Sequence, residues 1–466
     1  MKNGKLPSDR LDVESIRGEV TNLLQDLLRL DTTNPPGRET QAAEYIAGVL
    51  KREGFDPVVT ESAPGRGNVT TRLQGGSEPP LLLLGHTDVV AAEPEHWTHP
   101  PFSGLLEGGY VWGRGALDMK NMVAVELMVM ILLNRQGLRL NRDLLFAATA
   151  DEEAGKGEHG PGWLLDHHPE QIDAPVILTE GGGHDLTLGT QRYYACQLAQ
   201  KGICRMQVGF TGEPGHGSVP HGDNAIGKLC RAMARLDGTQ LPVHMSATLA
   251  AFLSGLAQRQ PPDMARALHA VLDSEDTVTA VLALPVDDTL KLELLALMAN
   301  TASMTMLEAG SKINVIPSSA TAFIDGRLVP QQTAESLCAE LRSIWGEAGQ
   351  AADIDILQYS PALEADADTP FYKAIVDVMR QHDSQAPVIP YMSTGGTDAK
   401  HICPRRPDTQ VYGFMPHRET PAGESSTIHG HDERTSVDNL VFATKVIYDL
   451  VCRYGGESDS VPTPQR

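Results

Sequence analysis

Pro80-Leu81-Leu82-Leu83-Leu84-Gly85 is a short unbroken apolar run, and it leads straight into His86-Thr87-Asp88-Val89-Val90. A run of that length with no polar alternation predicts a strand buried on both faces. The same texture recurs in Asp143 to Ala150 (DLLFAATA) and in Pro175 to Thr179 (PVILT). Helical stretches lie around these runs. Thr40 to Glu53 places Ala42, Ala43, Ile46, Val49 and Leu50 on one face, and Met119 to Asn134 is apolar along most of its length. Strands alternating with helices argue for a largely parallel α/β sheet.

After about residue 195 the texture changes. Cys196 to Thr211 and Ser311 to Val329 alternate as strands do, with a helix-rich stretch from Asn224 to Met306 between them. A helix pattern returns from Gln332 to Glu347, followed by further strand and helix signals to Tyr454. The expected architecture is an α/β domain, residues 1–194 and 329–454, interrupted by an inserted α+β domain at 195–328. At 466 residues two domains are the natural expectation. Residues 455–466 are polar and rich in Pro and Ser, which reads as a disordered tail.

The formal charge of −22 repels polyanions, and no Lys/Arg run makes a local exception, so a nucleic-acid partner is not expected. The first twenty residues lack the apolar core of a signal peptide. Met122 to Leu133 is interrupted by Glu126 and too short to span a bilayer, so no membrane partner is expected either. Six cysteines are scattered without a C-x-x-C pair. Reduced thiols in a cytoplasmic protein fit that better than a disulfide or zinc-finger framework.

Three segments carry chemistry. Gly85 to Val90 ends the first strand, Gly113-Arg114-Gly115-Ala116-Leu117-Asp118-Met119-Lys120 opens the long helix, and Asp151-Glu152-Glu153-Ala154-Gly155 follows the DLLFAATA strand. Open α/β sheets bind ligands at such strand ends and helix starts. Singly, each has a plain structural explanation. His86 reads as a hydrogen-bonded histidine, Asp118 as a helix N-cap, and the three acids as a solvated turn. The acids follow a buried strand at once, however, where an uncompensated charge cluster is costly. A cation would neutralise it, and imidazole with carboxylates is a donor set zinc accepts.

GHTDVV, GRGALDMK and DEEAG, in this order, resemble the di-zinc peptidase family of aminoacylase, acetylornithine deacetylase, succinyl-diaminopimelate desuccinylase and carboxypeptidases of the G and S types. The resemblance covers essentially the whole chain. It implies a zinc-peptidase-like catalytic domain with a mixed sheet, interrupted by a lid and dimerisation domain. It also implies two bound Zn2+, replaceable by Co2+ or Mn2+. His86, Asp118, Glu153, Glu180 and His429 would be the metal ligands, with Asp118 bridging. Asp88 would orient His86 by accepting its other N–H, and Glu152 would be the general base. Around the last ligand, His429 with Asp432 and Glu433 fits the family spacing, and His431 is a neighbouring candidate. Two metals roughly 3.5–4 Å apart activate water and polarise a carbonyl.

Three further assignments come from the same resemblance. His216, in Gly212-Glu213-Pro214-Gly215-His216-Gly217-Ser218, would reach the active site of a second subunit and stabilise the oxyanion, which implies a homodimer. Asn314 and Arg327 would contact substrate, the guanidinium capturing a carboxylate. Gly396 and Thr397 would complete that pocket. Members acting on free amino termini tend to carry Asp where Glu180 stands. Glu180 therefore points to release of an amino acid from an N-acyl-amino acid or short peptide. A biosynthetic deacylase of desuccinylase or acetylornithine deacetylase type and a dipeptidase are the alternatives. From a different class, a non-catalytic metal-binding scaffold is disfavoured because a structural site needs no spare base such as Glu152.

Overall fold

The computed structural model describes residues 6–154, 157–418 and 427–456. Gly155 and residues 457–466, most of the expected tail, lie outside these. The chain forms two compact units, one of Met1–Leu198, Ala365–Pro390 and Thr397–Arg466, the other of Ala199–Glu364 and Tyr391–Gly396.

In the first unit the strand read from PLLLLG runs Glu78–His86 and lies at the centre of the sheet. Arg142–Thr149 and Val176–Thr179 flank it, both parallel to it, and Gln410–Gly413 continues the parallel set. Outside this core of four, Gly67–Leu73 and then Val58–Glu61 add antiparallel, and Gln191–Gln200 meets Gln410–Gly413 antiparallel. The sheet is therefore mixed, parallel only in its middle.

The leucine run explains itself in this setting. Leu81 and Leu83 enter one core with Leu24, Val123, Leu127, Phe146 and Ile447. Leu82 and Leu84 enter the core on the opposite face with Leu145, Ile177, Leu164 and Ile402. All four are essentially inaccessible, and burial stabilises each by roughly 2 kcal/mol. Helix Lys120–Arg135 is buried on nearly every side, against that strand and helices Val13–Leu28 and Val437–Gly455.

The register sets the functional geometry. His86 lies opposite Thr149, and Leu83 opposite Leu178. The three strands thus end at one edge, delivering His86, the acids from Asp151 and then Glu180 to the same side.

The second unit holds a four-stranded antiparallel sheet in the order Thr301–Ala309, Ser319–Leu328, Gly202–Thr211, Asp353–Ser360. Helices Ala225–Leu236 and Ala334–Trp345 cover it with Leu229, Met233, Leu337, Leu341 and Trp345. Four more helices, from Ala247–Ala257 to Asp288–Met298, fill the helix-rich stretch. The break expected at 328 falls instead at 364. The physical reason is that Asp353–Ser360 pairs with Gly202–Thr211 and Trp345 is fully buried in this second core. No helix among the described residues is long and apolar enough to cross a membrane.

Candidate metal centre

Five side chains drawn from positions 86 to 429 converge at the strand ends. His86 Nε2 lies 3.1 Å from Asp118 Oδ1 and 3.7 Å from Glu180 Oε1. His429 Nε2 lies 3.0 Å from Asp118 Oδ2 and 3.3 Å from Glu153. The two oxygens of Asp118 thus face different imidazoles. The result is two overlapping donor sets, His86/Asp118/Glu180 and Asp118/Glu153/His429, with the donor atoms of each within 4.8 Å of one another. Asp118 makes no side-chain cap to the helix that follows, whose N-cap is Met119.

Surrounding groups hold these side chains in place. Nδ1 of His86 lies 3.0 Å from the backbone carbonyl of Asp88 and 3.4 Å from its Oδ1. The expected orienting bond therefore comes chiefly from the main chain of Asp88. Its carboxylate is engaged elsewhere, accepting the N–H groups of Glu152 (3.1 Å) and Glu153 (3.0 Å) and the amide of Asn34 (2.8 Å). A single buried carboxylate thereby fixes the backbone under two adjacent acids.

Asp151 sits in the left-handed region (φ 71°). Its carboxylate accepts from Arg66 at 3.0 Å and Asn34 at 3.2 Å, and from the backbone of Glu158 and His159. Arg66 in turn pairs with the buried Glu39. His429 and Asp432 are also left-handed, both at φ 57°. Three of the four such non-glycine residues described thus border this site, a concentration of backbone strain typical of functional centres. Asp432 binds the N–H and hydroxyl of Thr98 at 2.7 and 2.8 Å. Glu433, fully buried, clamps Leu117 N–H (2.7 Å), Asp118 N–H (3.1 Å), Gly115 N–H (3.1 Å) and the guanidinium of Arg114 (2.6 Å).

Electrostatically the cluster carries a surplus of buried negative charge. Burial, then the neighbouring Asp118, pushes Glu180 up to about 8, and burial likewise raises Glu153. Hydrogen bonds to Asp118 and Glu153 raise His429 to about 10. Burial opposes charging His86, yet Glu180 and Asp118 pull it well above the usual imidazole range. Two carboxylates pushed up by burial, packed with Asp118 around two imidazoles, suit a site completed by cations. The N/O donor set matches zinc and its first-row neighbours.

Glu152 is buried beside the two sets, ion-paired to the buried ammonium of Lys400. Lys400 was not among the residues singled out from sequence. The only signal was a lone lysine in the short Ala399–Ile402 segment after a glycine-rich loop. Asn34, Arg66 and the clamping role of Glu433 were likewise not anticipated. Thr397 is buried in the first unit, and its hydroxyl accepts the N–H of Ala399 at 3.3 Å. Gly396 ends the second unit's last segment. His431 stands apart from the ligand cluster, its Nε2 3.3 Å from the exposed Glu93.

His216, Asn314 and Arg327 belong to the second unit. His216 and Asn314 are neighbours there, through pairing of Gly215–His216 with Val315–Ile316 and a 2.9 Å bond from Gly217 N–H to the Asn314 carbonyl. Nδ1 of the exposed His216 lies 2.7 Å from the Ser218 hydroxyl and 3.2 Å from Ser218 N–H, both within its own turn. Arg327 is engaged by Asp325, with Nε 2.6 Å from Oδ1.

Comparison with known proteins places this geometry in context. The model of peptidase family M20/M25/M40 matches residues 82–453. The N-fatty-acyl-amino acid synthase/hydrolase PM20D1 of Xenopus tropicalis is 27% identical, over 97% of this chain and 88% of its own. Aminoacylase-1 of Sus scrofa is 27% identical, over 88% of this chain and 89% of its own. Among solved structures, the M20 family metallo-carboxypeptidase Sso-CP2 of Sulfolobus solfataricus superposes with a TM-score of 0.69 at 17% identity, covering 94% of this chain and 99% of that one. That likeness is one of fold.

Proposed function

The chain belongs to peptidase family M20/M25/M40, as a metal-dependent hydrolase of the metallopeptidase and amidohydrolase type, and we propose that it releases an amino acid from an N-acyl-amino acid or short peptide. The observation that carries this reading is the pair of donor sets joined through Asp118. A carboxylate with one oxygen in each set is what holds two cations at a fixed spacing. His86 and Glu180 would hold one metal, Glu153 and His429 the other, and Asp118 both. The mixed donors suit zinc, with cobalt or manganese as substitutes. Two such cations would supply the Lewis acidity that activates water and polarises the scissile carbonyl.

The chain's own groups do the rest. Glu152, buried beside the sets, takes the proton of the attacking water as the new C–O bond forms. It then delivers that proton to the amine nitrogen as the C–N bond breaks. Asp88 keeps Glu152 and Glu153 in register through their N–H groups. The chain works as a cytoplasmic homodimer in this reading, with His216 of the partner subunit donating to the oxyanion. Arg327 and Asn314 would take the substrate carboxylate, with backbone groups at Gly396 and Thr397 completing the pocket. Glu180, in place of the aspartate of free-amino-terminus enzymes, supports acyl or peptidyl release. So do the names of the N-acyl-amino acid hydrolase and aminoacylase relatives.

The test is elemental analysis of the purified protein together with turnover of a panel of N-acetyl-amino acids, N-fatty-acyl-amino acids, N-succinyl-diaminopimelate and free dipeptides. Two metals per chain and hydrolysis of N-acyl-amino acids are expected. Turnover confined to free dipeptides would defeat the argument from Glu180.

A further inference from the structure

Lys400 is a charged side chain only 8% exposed, on the short helix Ala399–Ile402. Its ammonium is ion-paired with Oε1 of Glu152 and also lies 3.3 Å from the backbone carbonyl of the same residue. A donor that binds the side chain and the main chain of one residue together closes a ring through that residue and leaves its carboxylate little rotational freedom. The same short helix supports the Glu152 loop at a second point. The ring of His401 lies 2.2 Å from where a Cβ on Gly157 would stand, so that loop can approach only because residue 157 is glycine. Just before them in the chain, Asp398 is buried, its Oδ1 without a hydrogen-bond partner among the described residues and its Oδ2 accepting from Thr149 at 3.2 Å. Lys400 is thus placed to balance two buried acids at once.

We propose that Lys400 is the positioning residue for Glu152: its ammonium fixes Oε1 and leaves Oε2 as the oxygen that receives the water's proton. This rests on Glu152 being the general base. A lysine present only to neutralise charge would contribute to folding and metal retention, and nothing more. A positioning lysine makes catalysis depend on it through Glu152 alone.

Full-length metal-loaded protein carrying Lys400→Met, Lys400→Arg, Glu152→Gln and the Lys400→Met/Glu152→Gln pair separates these cases, assayed on whichever substrate of the panel above is turned over fastest. Misplacing a reacting group by about 1 Å costs about 100-fold. Lys400→Met should therefore lose about that factor in kcat, with KM within about threefold and metal content unchanged. Lys400→Arg should recover to within about tenfold, because its guanidinium can bind the same two oxygens. In the double variant the lysine change should have no further effect, since the carboxylate it serves is already gone. Melting of the metal-free proteins supplies a readout independent of turnover: Lys400→Met should lower the midpoint less when Glu152 is already glutamine.

Three results overturn the proposal: unchanged kcat in Lys400→Met, a raised KM with kcat intact, or a full additional loss in the double variant. If Lys400→Met does not fold, the arginine variant and a Lys400→Gln variant decide on the same criteria. Activity retained by Glu152→Gln alone would instead remove the base assignment itself.

Discussion

Glu126 offers a measurable consequence of folding an acid into an apolar helix. It lies in Lys120–Arg135, is fully buried, and neither carboxylate oxygen has a hydrogen-bond partner among the described residues. The adjacent strand is so close that a Cβ on Gly85 would sit 3.7 Å from Glu126 Oε2. Burial alone raises its pKa well above the ordinary carboxyl value of 4.5. Between the unfolded and folded values the native state therefore binds the extra proton. Stability is fully present below the unfolded value and declines as pH rises toward the folded one. The slope is about 1.4 kcal/mol per pH unit.

Glu126→Gln keeps the volume and removes the ionisation. Its stability relative to the wild type should then grow by about 2.7 kcal/mol from pH 5 to pH 7, as long as the folded value lies above that interval. At about 2 °C per kcal/mol, that is a gain of roughly 5 °C in the melting difference. The assay is paired thermal unfolding of the two proteins at each pH, so that pH effects common to both cancel. A variant-minus-wild-type difference that stays flat between pH 5 and pH 7 would refute the burial argument.

Three other outcomes follow from the site. Exhaustive chelation should abolish turnover and lower the melting temperature, and zinc should restore both; at a free metal concentration 100 times Kd the stabilisation is about 2.7 kcal/mol for each occupied site, readable by calorimetry. Activity that survives complete metal removal would contradict the proposed site. His216→Ala should lower kcat by about 10²–10³ with little change in KM, as loss of an oxyanion donor does; a pure KM effect in steady-state kinetics would assign it to substrate binding instead. Arg66→Met leaves Glu39 and Asp151 buried without their shared cation, so denaturant titration should show a loss of about 3–5 kcal/mol, and a loss under 1 kcal/mol would mean the network is dispensable.

Much of the first unit was legible because short unbroken apolar runs of strand length read as buried strands: PLLLLG, DLLFAATA and PVILT are all strands close to their expected limits. What such runs cannot encode is the direction of a neighbour. That is why the runs alone suggest a largely parallel sheet, while the mixed sheet implied by the family resemblance is the one present, with Gly67–Leu73 adding antiparallel. The helix expected from Gln332 is present as Ala334–Trp345. Its allegiance to the second unit was invisible, because an amphipathic stripe has the same pattern whichever sheet it covers. At the site, residue chemistry alone left Asp118 a plausible cap, and only the ordered resemblance of three motifs linked it to residues as distant as His429. Lys400 and Arg66 escaped notice because a single cation has no periodicity, and only folding shows which acids it meets.

The clamp made by Glu433 has a consequence for how the molecule is made. Asp118 leaves the ribosome 315 residues ahead of the Glu433 carboxylate that binds its N–H, and nearly as far ahead of the imidazole of the second donor set. Until those residues appear, Leu117 and Asp118 lack their Glu433 acceptor, and Asp118 has one imidazole to face instead of two. The two donor sets can therefore be complete only after every segment of the second unit has been synthesised.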